Sequence, residues 1–125
     1  MSFGGGLLSA LAGLMNEDRE TFVPARLSIL SYLYFTRTAK FTDLQKTLNL
    51  TSGNLSSHLR KLESLGLIRI SKRFVELKPT TLVVITQEGA ARVRAQLLKM
   101  RELVAAAMEE ESMAHPQSAK SVAEL

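Results

Sequence analysis

Leu50-Thr51-Ser52-Gly53-Asn54-Leu55-Ser56-Ser57-His58-Leu59-Arg60-Lys61-Leu62-Glu63-Ser64-Leu65-Gly66 is the stretch that decides how this chain folds. Thr51 is a good helix cap, Asn54 stands three residues after it, and Leu50 with Leu55 can staple the first turn. Leu55, Leu59 and Leu62 recur at helical spacing, and Gly66 follows Leu65 where helices commonly end. At roughly 100° per residue the three leucines share one side, while Gly53, Ser57, Arg60 and Ser64 face directly away. Asn54 and Lys61 occupy one shoulder of the outward face, and Ser56 and His58 flank the leucines. The outward side is small or hydrogen-bonding at its start and cationic one to two turns later.

Just upstream, Phe41-Thr42-Asp43-Leu44-Gln45 reads as a capping box with Thr42 at the cap and Gln45 three residues on. The helix it opens is short, turns Leu44 and Leu48 inward, and stops near Asn49. A short helix, a tight turn and a second capped helix make a helix-turn-helix by spacing alone. Before it, Pro24 suits a first helical turn, and the segment to about Thr36 carries Leu27, Ile29, Leu30, Leu33, Tyr34 and Phe35. After it the period changes. Leu67–Lys72 and Thr81–Thr86 are rich in β-branched residues and are separated by a loop containing Pro79, which predicts a two-stranded hairpin lying against the helices. Thr86 then caps a long final helix, Gln87 to about Ser112. The expected fold is mainly α with a small antiparallel β-hairpin, an α+β arrangement.

Composition narrows the function. The chain has 125 residues, room for one domain with a genuine core, and no cysteine, which excludes a disulfide framework, a thiolate metal site and a cysteine nucleophile. Its net charge is +4. Between Arg37 and Lys78 nine basic residues stand against Asp43, Glu63 and Glu76, a net of +6, so the rest of the chain carries −2. Charge concentrated in this way points to a local surface facing a polyanion. Small residues let a helix approach a major groove, Asn and Ser reach base edges, and Arg or Lys engage phosphate or guanine. The backbone amides at Ser52 and Gly53 open the helix and can hold a phosphate.

The stretch from Phe41 to Ile68, with its core Leu-Thr-x-Gly-Asn-Leu-Ser-x-His-Leu-x-x-Leu-Glu-x-x-Gly-Leu-Ile, resembles winged helix-turn-helix transcriptional regulators of the MarR/ArsR type, in particular a small prokaryotic subgroup. Lys72-Arg73-Phe74, Lys78-Pro79-Thr80 and Thr86-Gln87-Glu88-Gly89 resemble that subgroup's wing and the start of its last helix. The likeness covers about Ala25 to Leu98. It implies a homodimer on an inverted repeat of double-stranded DNA, with the recognition helix in the major groove and the wing at the minor groove. Carried over by position, the base-contact candidates are Ser52, Gly53, Asn54, Ser56 and Ser57. The backbone candidates are Thr51, Arg60 and Lys61, with Lys72, Arg73 and Lys78 from the wing. The departure lies at Val75-Glu76-Leu77, which has no glycine and places an acid and two apolar residues where related wings often carry basic tips. Insertion of the wing and simple bracing on phosphates both stay open.

The final helix carries Ala90, Val93, Leu97, Met100, Val104 and Ala107 at alternating spacings of three and four, with Leu98, Leu103 and Met108 widening the surface. About 25 helical residues span near 38 Å, more than so small a domain can cover, so the distal half is expected to meet a second chain. Arg92, Arg94, Lys99 and Arg101 fill its first half and Glu109, Glu110 and Glu111 its end, a distribution that favours an antiparallel partner. Leu7, Leu8, Leu11, Leu14 and Met15 recur at helical spacing near the N-terminus. No Lys or Arg precedes them and acids follow at once, which argues for a short amphipathic helix over an export signal. The dimerisation candidates are Leu7, Leu11, Leu14, Leu97, Met100, Val104 and Met108.

The expected organisation is an N-terminal amphipathic helix (1–20), a winged helix-turn-helix domain (21–88), a C-terminal dimerisation helix (89–112) and a flexible tail (113–125). His58 beside Ser56 and Ser57 cannot form a hydrolytic dyad, because residues one and two apart on a helix point in different directions. Two isolated histidines and no carboxylate cluster give no metal site. No phosphate-binding glycine loop and no bilayer-spanning run is present, so no cofactor, no enzymatic activity and no membrane partner are expected, and the cytoplasm is the expected location. The alternatives are a winged-helix module that docks a protein, and a protein that coats DNA without regard to sequence.

Overall fold

The computed structural model describes residues 5–15 and 21–115. Its elements run α1 (Gly5–Met15), α2 (Pro24–Thr36), β1 (Thr38–Lys40), α3 (Phe41–Leu48), α4 (Ser52–Ser64), β2 (Ile68–Val75), β3 (Lys78–Ile85) and α5 (Gln87–Ala114). Two compact units result, one of Asp18–Arg94 and the other of Met1–Glu17 with Ala95–Leu125.

In the first unit, Ile29, Leu30 and Leu33 of α2, Leu44 of α3 and Leu55, Leu59 and Leu62 of α4 are fully or almost fully buried. Leu67, Ile68, Val83 and Val93 complete the core. Each such side chain contributes roughly 1.5–3 kcal/mol by leaving water, and together they lock the helix-turn-helix against the sheet. Asn49 takes the left-handed conformation that ends α3, and its N–H returns to carbonyls in the last turn. Thr51 caps α4 as expected, its hydroxyl accepting from the Asn54 N–H at 3.1 Å. Gly66, at φ 76°, turns the chain out of α4 in the region glycine adopts most readily.

Four expectations change. The sheet has three strands in the order β1-β3-β2, not two, because Thr38–Lys40 pairs antiparallel with Leu82–Val84. Lys40 is therefore still extended and stands at the N-cap of α3, with no side-chain cap bond, so that helix starts at Phe41 and Thr42 is not its cap. The wing is also longer than read. Phe74 pairs with Pro79 and Val75 with Lys78, leaving Glu76-Leu77 as the whole turn. Pro79 sits inside β3 where β1 no longer runs alongside, the locally unflanked position in which proline is tolerated. Finally, α5 continues to Ala114, two residues past the expected end. The expected tail beyond His115, and residues 1–4 and 16–20 of the expected N-terminal segment, lie outside the described residues.

The start of α5 is docked on the exit of α4. The Thr86 N–H donates to Leu67 O at 3.0 Å, and the Thr86 hydroxyl donates to Gly66 O at 2.7 Å while accepting from the Gly89 N–H at 3.0 Å. A Cβ on Gly89 would overlap the Leu67 carbonyl and lie 3.1 Å from Cγ1 of Ile85. That close approach is why Thr86-x-x-Gly89 reads as it does.

Candidate nucleic-acid interface

α4 presents two unlike sides. Leu55, Leu59 and Leu62 are buried, and Ser52, Gly53, Asn54, Ser57, Arg60 and Ser64 are exposed. Space around Gly53 is open, so the backbone of the first turn can be approached closely. Thr51, half a turn earlier, is exposed while its hydroxyl caps the helix. Lys61 is half-buried and engaged within the fold.

Ser56 departs from its neighbours. It is half-buried and lines a hollow of about 370 Å³ together with Phe41, Leu59, Arg60, Ile70, Lys72 and Thr81. The hollow separates the helix from the base of the wing. Its floor is apolar, its charged lining is Arg60 and Lys72, and no acid contributes. Strand alternation puts Lys72 on the face shared with Ile70 and Phe74, and Arg73 on the opposite face with Arg69 and Ser71. Lys72, Arg73 and Lys78 are all exposed. The wing thus carries cations on both faces, one of them toward the recognition helix.

Two side chains that the sequence left without a role position this surface. Glu63, an acid within the basic segment, accepts from the Ile70 N–H at 2.9 Å through Oε2 and ties α4 to the edge strand β2. Arg26, from the first turn of α2, donates through Nε to Nδ1 of His58 at 3.1 Å. The neutral ring then carries its proton on Nε2. Partial burial, and secondarily the Arg26 charge, hold the His58 pKa below its ordinary 6.5. His58 is in this way a structural acceptor on the flank of α4. Capping residues and glycines gave signals for the helix; a pair 32 residues apart gave none.

The dimerisation candidates divide along α5: Leu97 is half-buried, whereas Met100, Val104 and Met108 are 37%, 56% and 40% exposed, and Val93, earlier on the same seam, is buried. Leu7 is half-buried and Leu11 exposed, and the side chain of Leu14 lies outside those described. Arg92 faces Thr21, 3.5 Å from its hydroxyl, and so belongs with its own domain. Among the described residues no three His, Asp or Glu gather as metal ligands, and no helix is long and apolar enough to cross a membrane.

Comparison with known proteins agrees with this geometry. Residues 25–104 match the family model described as a winged helix DNA-binding domain. An uncharacterized protein of Methanocaldococcus jannaschii is 33% identical over 78 residues, covering 62% of this chain and 85% of that protein. The uncharacterized HTH-type transcriptional regulator YdgJ of Bacillus subtilis is 33% identical over 91 residues, 70% of this chain and 55% of its own length. The structure of a transcriptional regulator homologue from Pyrococcus horikoshii superposes with a TM-score of 0.69 at 34% identity, covering 77% of this chain and 94% of that one.

Proposed function

The chain belongs to the winged helix DNA-binding domain family and is a DNA-binding transcription regulator of the MarR/ArsR type; from that premise we propose that it acts in the cytoplasm as a sequence-specific homodimer without chemistry of its own. One observation carries the reading of the site. The face of α4 made by Ser52, Gly53, Asn54, Ser57 and Arg60 is open to solvent, backed by a fully packed leucine face.

In this reading the start of α4 enters the major groove, where Asn54 and the serines meet base edges and the amides of Ser52 and Gly53 meet a phosphate. Arg60 and Lys72, on the two walls of the hollow, straddle the backbone strand between helix and wing. Arg73 and Lys78, on the other face of the wing, engage phosphates farther from the helix. Phosphate contacts supply most of the affinity and base contacts the sequence preference. The exposed Met100, Val104 and Met108 support pairing of the distal half of α5 with a second copy, with the exposed Leu11 of α1 adding apolar area. The domain organisation that follows is a reading head at 21–88, flanked in sequence by the dimerising helix α1 (Gly5–Met15) and by α5 from residue 89 to Ala114.

The test is binding to duplex DNA as salt is raised. With about six phosphates neutralised per dimer, log K falls against log salt with a slope near −5. Arg60→Ala weakens binding to every sequence, while Asn54→Ala relaxes preference at one base step. A slope near zero, or equal losses on all sequences from Asn54→Ala, contradicts the reading.

A further inference from the structure

The wing ends in a way its own folding does not explain. The β2–β3 ladder runs out to Val75 and Lys78, so Glu76 and Leu77 form the entire turn, at φ 53° and 67°. Two successive left-handed residues are the demand that Asn-Gly or Gly-Gly meets at little cost. A leucine there works against the contact of its own Cβ with the backbone. It gains nothing in return from the fold, since Leu77 is 95% exposed. Phe74, three residues earlier, is 78% exposed and lies across the ladder from Pro79. Neither side chain adds to the core, yet both are large and apolar.

Their surroundings identify what they meet. Phe74 lies on the face shared with Ile70 and Lys72, whose lining of the hollow turns it toward α4. Lys72, Arg73 and Lys78 surround the tip, against the single acid Glu76. Three cations beside an apolar point fit a polyanion that has an apolar interior. A DNA duplex, with phosphates outside and stacked bases within, has that character. With α4 in a major groove, the wing reaches the adjoining minor groove, and Glu76 keeps the tip from resting on a phosphate strand.

We propose that Phe74 and Leu77 form an apolar wedge that enters the minor groove and opens a base step, so that the protein reads DNA deformability beside the site read by α4. The proposal rests on the DNA-binding reading above and adds a second source of specificity to it. Wedges of this kind cost least at TA and CA/TG steps, whose stacking is weakest to deformation. Selectivity therefore appears at bases that no hydrogen-bonding group touches.

The experiment partitions a randomised duplex pool with the full chain, its Leu77→Gly and its Phe74→Ala variants, and then places 2-aminopurine in the flanking step of a selected duplex. Glycine suits the left-handed turn, so Leu77→Gly removes the wedge while keeping the wing formed. The wild-type protein is expected to enrich a TA or CA/TG step at a fixed distance from the core motif and to brighten 2-aminopurine there. Each variant retains the core motif and loses preference for the step by about fivefold to tenfold. Enrichment of a core motif with no flanking-step preference and silent 2-aminopurine overturns the wedge and leaves DNA reading by α4 standing. A variant that weakens on all sequences alike makes the tip a phosphate brace and also overturns it. Failure of the wild-type protein to enrich any duplex overturns the DNA-binding reading and the wedge together.

Discussion

Arg26 and His58 stand 32 residues apart in sequence and 3.1 Å apart in space, joined by a hydrogen bond from Nε to Nδ1 that ties the start of α2 to the middle of α4. The bond needs a bare Nδ1, so it exists only while the imidazole is neutral. A proton on His58 would remove the acceptor and set one cation against another.

Stability should depend on pH accordingly. Burial first, and the Arg26 charge second, lower the folded His58 pKa from 6.5. Between that lowered value and 6.5 the unfolded chain binds more protons than the folded one, so stability rises with pH. The contribution is complete above 6.5 and is lost as pH falls through the folded value. Melting temperature followed from about pH 7.5 to about pH 5.5 should fall, and His58→Gln, which keeps an acceptor that does not titrate, should flatten the decline. Identical slopes for both proteins would contradict the assignment.

Gly89 supplies a second test. Its replacement by alanine puts a methyl group into the Leu67 carbonyl at the junction of α4 and α5. Backbone on that side cannot swing away as a long side chain could. The expected loss is roughly 1–3 kcal/mol in urea unfolding, the usual cost of overpacking. A change within about 0.5 kcal/mol, as for an ordinary surface position, would show that the junction is looser than described.

The dimer reading rests on α5. Changing Glu109, Glu110 and Glu111 all to lysine should shift the protein toward monomer in light scattering if two α5 helices run antiparallel. Arg94→Glu with Arg101→Glu should then restore the dimer; both arginines are exposed, whereas Arg92 is occupied near Thr21. Exposed pairs contribute about 0–1 kcal/mol each, so several must change together. A triple variant that stays fully dimeric would mean that apolar contacts of Met100, Val104 and Met108 decide the pairing instead.

The helix-turn-helix was legible because its signals are local. Thr51 caps, Gly66 turns, and Leu55, Leu59 and Leu62 repeat on one side, so α4 and its outward residues follow from neighbours within a few positions. β1 was not, since three residues are too few for alternation to stand out and its pairing with β3 spans more than forty positions. That same pairing holds Lys40 extended and displaces the cap expected at Thr42. Pro79 suggested a loop because a strand proline is usually a misfit; the short reach of β1 is what admits it. At the site, the half-burial of Ser56 follows from its place flanking the leucines, but the hollow it lines with the wing does not follow from helix geometry. Glu63 and Arg26 act through contacts made only after the helices pack on one another and on the sheet.

The measurement that bears most directly on the account uses the absence of cysteine in the chain. Gly53→Cys introduces a single thiol at an open position on the outward face of α4, where an iron chelate can be attached and triggered to cut bound DNA. With α4 lodged in the major groove, cleavage falls on a few adjacent base pairs within each selected half-site, on both strands. Even cleavage along the duplex, or none while the protein remains bound, would mean that this face of α4 does not meet DNA.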